Sequence, residues 1–282
     1  MALINVYSRA RKLWRDEGPL ELLKGIFRYL YWHTGIRELN HRIRYQFAGK
    51  EIVVTVGDVE RSFIVESYTE FVRYYTLMNE REILEDLVSE LSRSDSFTDI
   101  GANVGVYSVY ADSQLKDNRI EAFEPHPANV QALNRNLDHN GIQARVHECA
   151  LADQEGELLL EPSGEDAGEG EHALTTDESE SGIEVDVQTL DGVVAEGNAS
   201  QPTVVKIDVE GAELDVIKGG RETLSSESCR LVYCEVHPDR LENYGGSYEQ
   251  LRKTLVEYGF ELELISGTED GYSTLKATKT EK

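Results

Sequence analysis

Apolar and polar positions recur with two different periods along this chain. Over residues 1–45, Leu13, Leu20, Leu23, Ile26, Phe27 and Leu30 fall at helical spacing. Residues 51–57 and 61–66 alternate instead and flank Asp58, which predicts a hairpin. A helix is predicted over 78–91, where Ile83, Leu84, Leu87 and Leu91 share one face. From there short apolar runs alternate with helical segments: strands at 97–100, 119–123 and 144–150, helices at 104–115 and 127–140. Residues 163–182, rich in Asp, Glu, Gly and Ser, interrupt the rhythm as a solvated loop or an excursion from the sheet. Residues 183–190 alternate again. A strand at 203–208, a helix at 213–224, a strand at 230–236 and a helix at 248–258 follow, then two closing strands at 260–265 and 272–278, expected to pair antiparallel. Strand–helix units of this size predict an α/β fold, a mostly parallel sheet with helices on both faces. The chain reads as a helical arm over 1–50, a hairpin and connector over 51–77 and a main domain over 78–282.

Charge sharpens that division. The 282 residues carry 53 acids against 28 Lys and Arg, a formal charge of −25. Residues 1–50 hold ten basic side chains and four acids, a balance of +6, and the remainder stands at −31. In the arm, Arg9, Arg11, Lys12, Arg15, Lys24 and Arg28 are interleaved with Trp14, Tyr29, Tyr31 and Trp32. Such a segment over 1–45 suits either peripheral contact with an anionic membrane or packing on its own domain or a second subunit. The acidic remainder argues against a broad nucleic-acid interface. With 10 Lys against 18 Arg, the whole chain has the acid-rich, lysine-poor composition expected of a salty cytoplasm. Cys149, Cys229 and Cys234 cannot build a disulfide framework and read as buried thiols in a reducing interior. No run approaches the roughly 18 apolar residues of a spanning helix. The early arginines also interrupt any signal-peptide core, so a cytoplasmic location is expected, with contact at the inner membrane face through the arm.

The sharpest motif is Asp99-Ile100-Gly101-Ala102-Asn103-Val104-Gly105, after a predicted strand and opening a helix. Its glycines allow a tight turn and close approach of a ligand, and the helix start offers free N–H donors. It lacks the third spaced glycine of a dinucleotide fingerprint. Glu124 ends the next strand, where a carboxylate can accept from both hydroxyls of a ribose. Asp99 beside the glycines would repel a diphosphate and favour a ligand with a cationic amino-acid portion. The two acids together point to S-adenosylmethionine. An NAD(P)-dependent oxidoreductase, or a scaffold that keeps the fold without turnover, are the alternatives.

Asp-Ile-Gly-Ala-Asn-Val-Gly (99–105), Phe-Glu-Pro (123–125), Thr-Leu-Asp (189–191), Lys-Ile-Asp-Val-Glu-Gly-Ala-Glu (206–213) and Glu-Val-His-Pro (235–238) resemble the FkbM-type S-adenosylmethionine-dependent methyltransferases, in order and spacing, over about residues 80–265. The resemblance implies a Rossmann-like seven-stranded sheet with an antiparallel last strand, and methyl transfer, usually to oxygen. It implies that Asp99, Gly101 and Gly105 shape the methionine end of the cofactor site, that Asn103 in the same loop is cofactor-binding, that Glu124 holds the ribose, and that Ala150, Leu151 and Asp153 lie where adenine contacts arise. Asn129 is expected to cap its helix. The resemblance covers neither residues 1–50 nor, with any strength, the acidic segment 163–182.

By alternation Lys206, Asp208 and Glu210 share one side of their strand, and Glu235 and His237 share one side of the next. Both strands should end at the carboxyl edge of the sheet, where open α/β sheets bind ligands. A sugar hydroxyl is a poor nucleophile, so a base or a metal would help. His237 is the expected base, neutral at working pH, oriented by Glu235 and made more basic by Asp208 and Glu210. A divalent ion on the same four side chains is compatible but not favoured. The expected activity is O-methylation of a sugar hydroxyl or carboxyl on a glycan or lipid-linked glycan, or of another small-molecule acceptor.

Overall fold

The computed structural model of the protein describes residues 23–24, 35–77, 80–116, 119–160, 167, 174–175, 182–268 and 271–279. Most of the basic arm, and with it the membrane expectation, lies outside the described residues. The chain divides into two compact units, Met1–Gly49 and Lys50–Lys282. In the first, Leu23 and Lys24 are helical and α1 spans Ile36–Phe47, with Ile36, Leu39, Ile43 and Phe47 exposed.

In the second unit, β1 (Glu51–Val56) and β2 (Val59–Ile64) form the expected hairpin, turning at Gly57 with φ +55°. Next comes α2 (Tyr68–Thr76), which the apolar spacing did not predict. It starts on a capping box: Ser67 Oγ accepts from the Glu70 N–H, and the Glu70 carboxylate accepts from the Ser67 N–H. The helix expected over 78–91 is α3 (Arg81–Glu90). The glycine loop joins β3 (Phe97–Ile100) to α4 (Val106–Ala111), shorter than the expected 104–115 because the loop takes Val104 and Gly105, the N-cap at φ +86°, and turns replace the helix after Ala111. Then follow β4 (Ile120–Phe123) and α5 (Pro127–His139). The strand expected over 144–150 is two strands, β5 (Arg145–His147) and β6 (Ala150–Leu151), in different sheets. β7 (Gly156–Leu160), β8 (Leu174–Thr175) and β9 (Ile183–Gln188) complete the sheet that β6 joins, so the acidic segment is an excursion carrying a short strand.

The chain then runs through α6 (Leu190–Ala195) and β10 (Val204–Ile207). The helix expected over 213–224 breaks at Gly219–Gly220 into α7 (Glu213–Gly219) and α8 (Arg221–Ser225). A Cβ on Gly219 would stand 1.9 Å from the Ala152 carbonyl oxygen, so the chain crosses there only because the residue is glycine. β11 (Leu231–Val236), α9 (Pro238–Asn243), α10 (Tyr248–Glu257), β12 (Glu261–Gly267) and β13 (Ser273–Thr278) close the fold.

The main sheet has seven strands in the order β12-β13-β11-β10-β3-β4-β5, all parallel except β13, which is antiparallel to both neighbours. Its core strands are short and fully buried because helices cover both faces. One face packs Ile100, Val205, Ile207, Val232 and Cys234 under Leu214, Ile217, Leu224, Leu251 and Leu255 of α7, α8 and α10. The opposite face carries Asp99, Lys206 and Glu235, by the alternation of those same strands. All three cysteines are buried and free.

Candidate active site

Between β3 and β10 the strand order reverses direction, and the crevice outside the strand ends at such a switch point is where open α/β sheets take ligands. Two loops meet there. Gly101 and Ala102 donate their N–H groups to the Phe123 carbonyl at 3.0 Å each, and Asp208 N–H donates to the Ile100 carbonyl at 3.0 Å. The loops pass so closely that a Cβ on Gly101 (φ +75°) would lie 1.8 Å from the Asp208 carbonyl oxygen. The described non-glycine residues with positive φ are Leu77, Asn103 and Glu210; the first two line the cleft here and Glu210 follows Asp208 by two residues. Backbone held in a sparsely populated conformation at one locus is a mark of a functional site.

Glu124 is buried at the end of β4. Its Oε2 accepts from Asn103 N–H at 2.7 Å, and its Oε1 accepts from His126 N–H at 2.9 Å and the Asn129 side-chain amide at 3.3 Å. Asn129 therefore braces Glu124, and no side chain caps α5, contrary to expectation. Burial raises the Glu124 pKa, against the pull of those donors. Asp99 also differs from expectation. It has no exposed surface; its Oδ2 accepts from Ser108 N–H and Oγ–H at 3.1 and 2.7 Å, and its Oδ1 faces Lys206 Nζ at 3.8 Å. It anchors the start of α4 and a buried lysine rather than facing a ligand. Ala150 and Leu151 are buried in β6, Asp153 is exposed, and none of the three is hydrogen-bonded to the glycine loop or Glu124.

The predicted reacting residues do come together. Lys206 Nζ lies 3.0 Å from Asp208 Oδ2 and 4.7 Å from the centre of the Tyr107 ring. His237 Nε2 lies 3.2 Å from Glu210 Oε2 and 3.7 Å from Glu235 Oε1, and Arg240 holds Glu210 at 2.8 Å. Tyr272 donates to Glu235 Oε1, and Tyr107 donates to Glu80 at 3.0 Å. A cleft lined by Arg73, Leu77, Glu80, Tyr107, Lys206 and Asp208 opens beside the Asn103 loop. Burial works against the Lys206 charge, but Asp208 and Asp99 outweigh it and hold the ammonium protonated. Burial also opposes ionisation of Asp208, yet Lys206 and His237 bring its pKa below the usual range. Glu235 is driven well up by burial, Asp208 and Glu80, and burial lifts Glu210 to about 7.

His237 departs from its expected state. Burial disfavours its charge, but Glu213, 2.7 Å from Nδ1, with Glu210 and Asp208, raises its pKa to about 9. At neutral pH it is an imidazolium and cannot accept a proton, so the expected neutral general base is not what this geometry provides. Glu213 could have been suspected from its place three residues after Glu210. Glu80 and Tyr272 give no local signal and reach the site only through tertiary folding.

Residues 99–262 match the family described as Methyltransferase FkbM domain. The chain belongs to that family. Hexuronic acid methyltransferase AglP of Haloferax volcanii is 29% identical over 188 residues, 66% of this chain and 74% of that protein. The 31-O-demethyl-FK506 methyltransferase FkbM of Streptomyces tacrolimicus is 28% identical over 214 residues, 64% of this chain and 80% of that one. The crystal structure of methyltransferase FkbM from Methylobacillus flagellatus superposes with a TM-score of 0.48 at 18% identity, covering 74% of this chain and 53% of that one. This chain thus spans about half the length of that solved relative.

Family membership implies S-adenosylmethionine as methyl donor. The donor set fits it: an acid at the end of β4 for ribose hydroxyls, a glycine-built crossing at the switch point, and carboxylates rather than a cationic phosphate cradle. Among the described residues no helix is long and apolar enough to cross a membrane.

Proposed function

We propose that the protein transfers a methyl group from S-adenosylmethionine to a hydroxyl oxygen of a sugar. The observation that carries this reading is the convergence of Asp208, Glu210, Glu235 and His237 from two adjacent strand ends beside the Gly101 loop. When bound, the cofactor supplies a methyl group already activated on a sulfonium, so the protein has to position the acceptor, exclude water and receive its proton. Glu124 and the Gly101–Gly105 loop hold the donor. Glu210, partly exposed and steered by His237 and Arg240, takes the proton from the acceptor hydroxyl. Lys206 keeps Asp208 ionised at the crevice, where it accepts a hydrogen bond from the sugar. The same crowd of carboxylates would repel an acceptor carboxylate, which is why a hydroxyl is preferred here. The relative named for hexuronic acid supports a saccharide acceptor, since that sugar offers hydroxyls as well as a carboxyl.

The test is incubation of the protein with S-adenosylmethionine and a panel of uronic acids and neutral glycosides, followed by mass spectrometry. A gain of one methylene mass that survives mild alkali is the ether expected here. An alkali-labile methyl ester would move the acceptor to a carboxyl. Stabilisation by NAD and not by S-adenosylhomocysteine would sink the methyl-transfer reading altogether.

A further inference from the structure

We infer that Asp208, Glu235 and His237 form a binding site for a divalent cation of the Mn2+ type. Each offers one ligand atom, and these atoms lie within 4.8 Å of one another. Glu235 lies in β11, and Asp208 and His237 are the first residues after β10 and β11, so two adjacent parallel strands bring the three together.

The histidine is already oriented for the task. Glu213 is fully buried, and its Oε1 is held by Gly211 N–H at 2.9 Å and lies 2.7 Å from His237 Nδ1. With Nδ1–H donating to that oxygen, Nε2 is the nitrogen turned to the cluster, and release of its proton would free a lone pair for an ion. A carboxylate on the far nitrogen of a ligating histidine is the usual arrangement around bound metals. Facing Nε2 are the carboxylate oxygens of Glu210 at 3.2 Å and Glu235 at 3.7 Å. Without an ion the Nε2 proton of the imidazolium lies among these oxygens, and a divalent cation binding there would take that proton's place.

The wider pocket is short of positive charge. Glu80, Asp99, Asp208, Glu210, Glu213 and Glu235 gather there, six acids against Lys206, Arg240 and the His237 imidazolium, which pair with them directly. Burying so unbalanced a set is costly, and a doubly charged ion offsets it without consuming a proton on each carboxylate. Lys206 occupies one oxygen of Asp208 and leaves the other for an ion. A further polar atom stands by: Thr274 is paired directly with Glu235 across β13, on the same face, and its Oγ1 is buried with no hydrogen-bond partner among the described residues. Two carboxylates with one imidazole form a mixed oxygen and nitrogen set, which suits Mn2+ better than the all-oxygen cage that Ca2+ takes. Three protein ligands leave positions for water or an acceptor oxygen. The inference deepens the methyl-transfer reading, on which the ion's place beside the acceptor rests.

The probe is MnCl2 added to the full chain without cofactor, in 2 M KCl to suppress diffuse binding to the acidic surface. Electron paramagnetic resonance should give one saturable site, and pulsed measurements on the unmodified protein should show coupling to a histidine nitrogen. Asp208→Asn and His237→Gln should each weaken binding at least tenfold, with the nitrogen coupling gone in the second. Absence of saturable Mn2+ binding, or a bound ion without nitrogen coupling in the unmodified protein, overturns the site even if a variant fails to fold. Unchanged affinity in folded variants overturns it as well. S-adenosylhomocysteine titrated in parallel separates the two readings. Its binding without Mn2+ binding removes the ion site alone, whereas Mn2+ binding without it removes the methyl-donor reading and leaves the ion site standing.

Discussion

A single backbone oxygen decides what residue 101 can be. Alanine there would place its Cβ 1.8 Å from the Asp208 carbonyl oxygen and would also have to hold φ +75°. Either β10 or the glycine loop must move, and the crossing at the switch point opens. Gly101→Ala should therefore lose S-adenosylhomocysteine affinity at least tenfold and lower the melting temperature. An unchanged pair of values would mean that the crossing does not build the site. Glu124 acts on the same loop through Asn103 N–H. Hydrogen bonds to a charged group contribute about 1.5–3 kcal/mol, so Glu124→Ala should weaken S-adenosylhomocysteine roughly 10- to 100-fold by calorimetry. Retained affinity would remove Glu124 from the cofactor site. At the reacting end, loss of a general base usually costs 10²–10⁴ in rate. Glu210→Gln should reduce turnover by about that factor while cofactor affinity holds, and a rate within threefold of the parent would place the base elsewhere. The acids of this site were legible in the sequence because they sit in motifs. Their states were not: the cationic His237 depends on Glu213, and the burial of Asp99 on Ser108 and Lys206.

At the scale of elements, a clamp at the other end of the sheet ties three strands together. Asp95 accepts from Arg230 at 2.7 and 3.1 Å, from Thr203 Oγ at 2.7 Å, and from Ser92 N–H and Oγ at 2.8 Å each. It joins the entries of β3, β10 and β11. Burial opposes its charge, but Arg230, Thr203 and Ser92 prevail and hold its pKa well below the usual carboxylate range. A pKa depressed in the folded state adds stability above the unfolded value of about 3.9, and that stability is lost as pH falls towards the folded value. Asp95→Asn should thus cost on the order of 2 kcal/mol in urea unfolding at pH 7, with the gap to the parent narrowing below about pH 4. A gap constant down to pH 3 would show that the carboxylate charge contributes nothing. The strands that this clamp gathers were readable as short apolar runs because their burial is complete on both faces. The smaller sheet was not, since β7 pairs with β9 in a register running from Gly156↔Val187 to Leu160↔Ile183, and neither strand specifies the other locally. Helix α2 was readable in principle, from the Ser67 and Glu70 spacing, but its apolar stripe alone does not stand out.

For the whole molecule the dominant quantity is the net charge of −25, with 53 acids against 28 Lys and Arg. Two electrostatic effects oppose each other as salt is added. Screening weakens attractive surface pairs such as Arg42–Glu38 and Lys253–Glu257, but exposed pairs of this kind contribute about 0–1 kcal/mol each and little is lost. Buried pairs such as Lys206–Asp208 and Arg230–Asp95 are screened much less. Screening also relieves repulsion among the surplus acids, which acts over the whole surface and destabilises the compact state. The surplus is the larger effect, so the melting temperature should climb as KCl rises from 0.1 to 2 M. The shape of the climb is informative. The Debye length falls from about 10 Å at 0.1 M to about 3 Å at 1 M, so pure screening should be nearly complete by 1 M. A rise that continues between 1 and 2 M would show that hydrated carboxylates and bound ions add to it, as expected for a chain adapted to a salty cytoplasm. A rise that stops by 1 M would reduce the effect to ordinary charge repulsion. A flat or falling curve would leave the salt-adaptation reading of this composition without support.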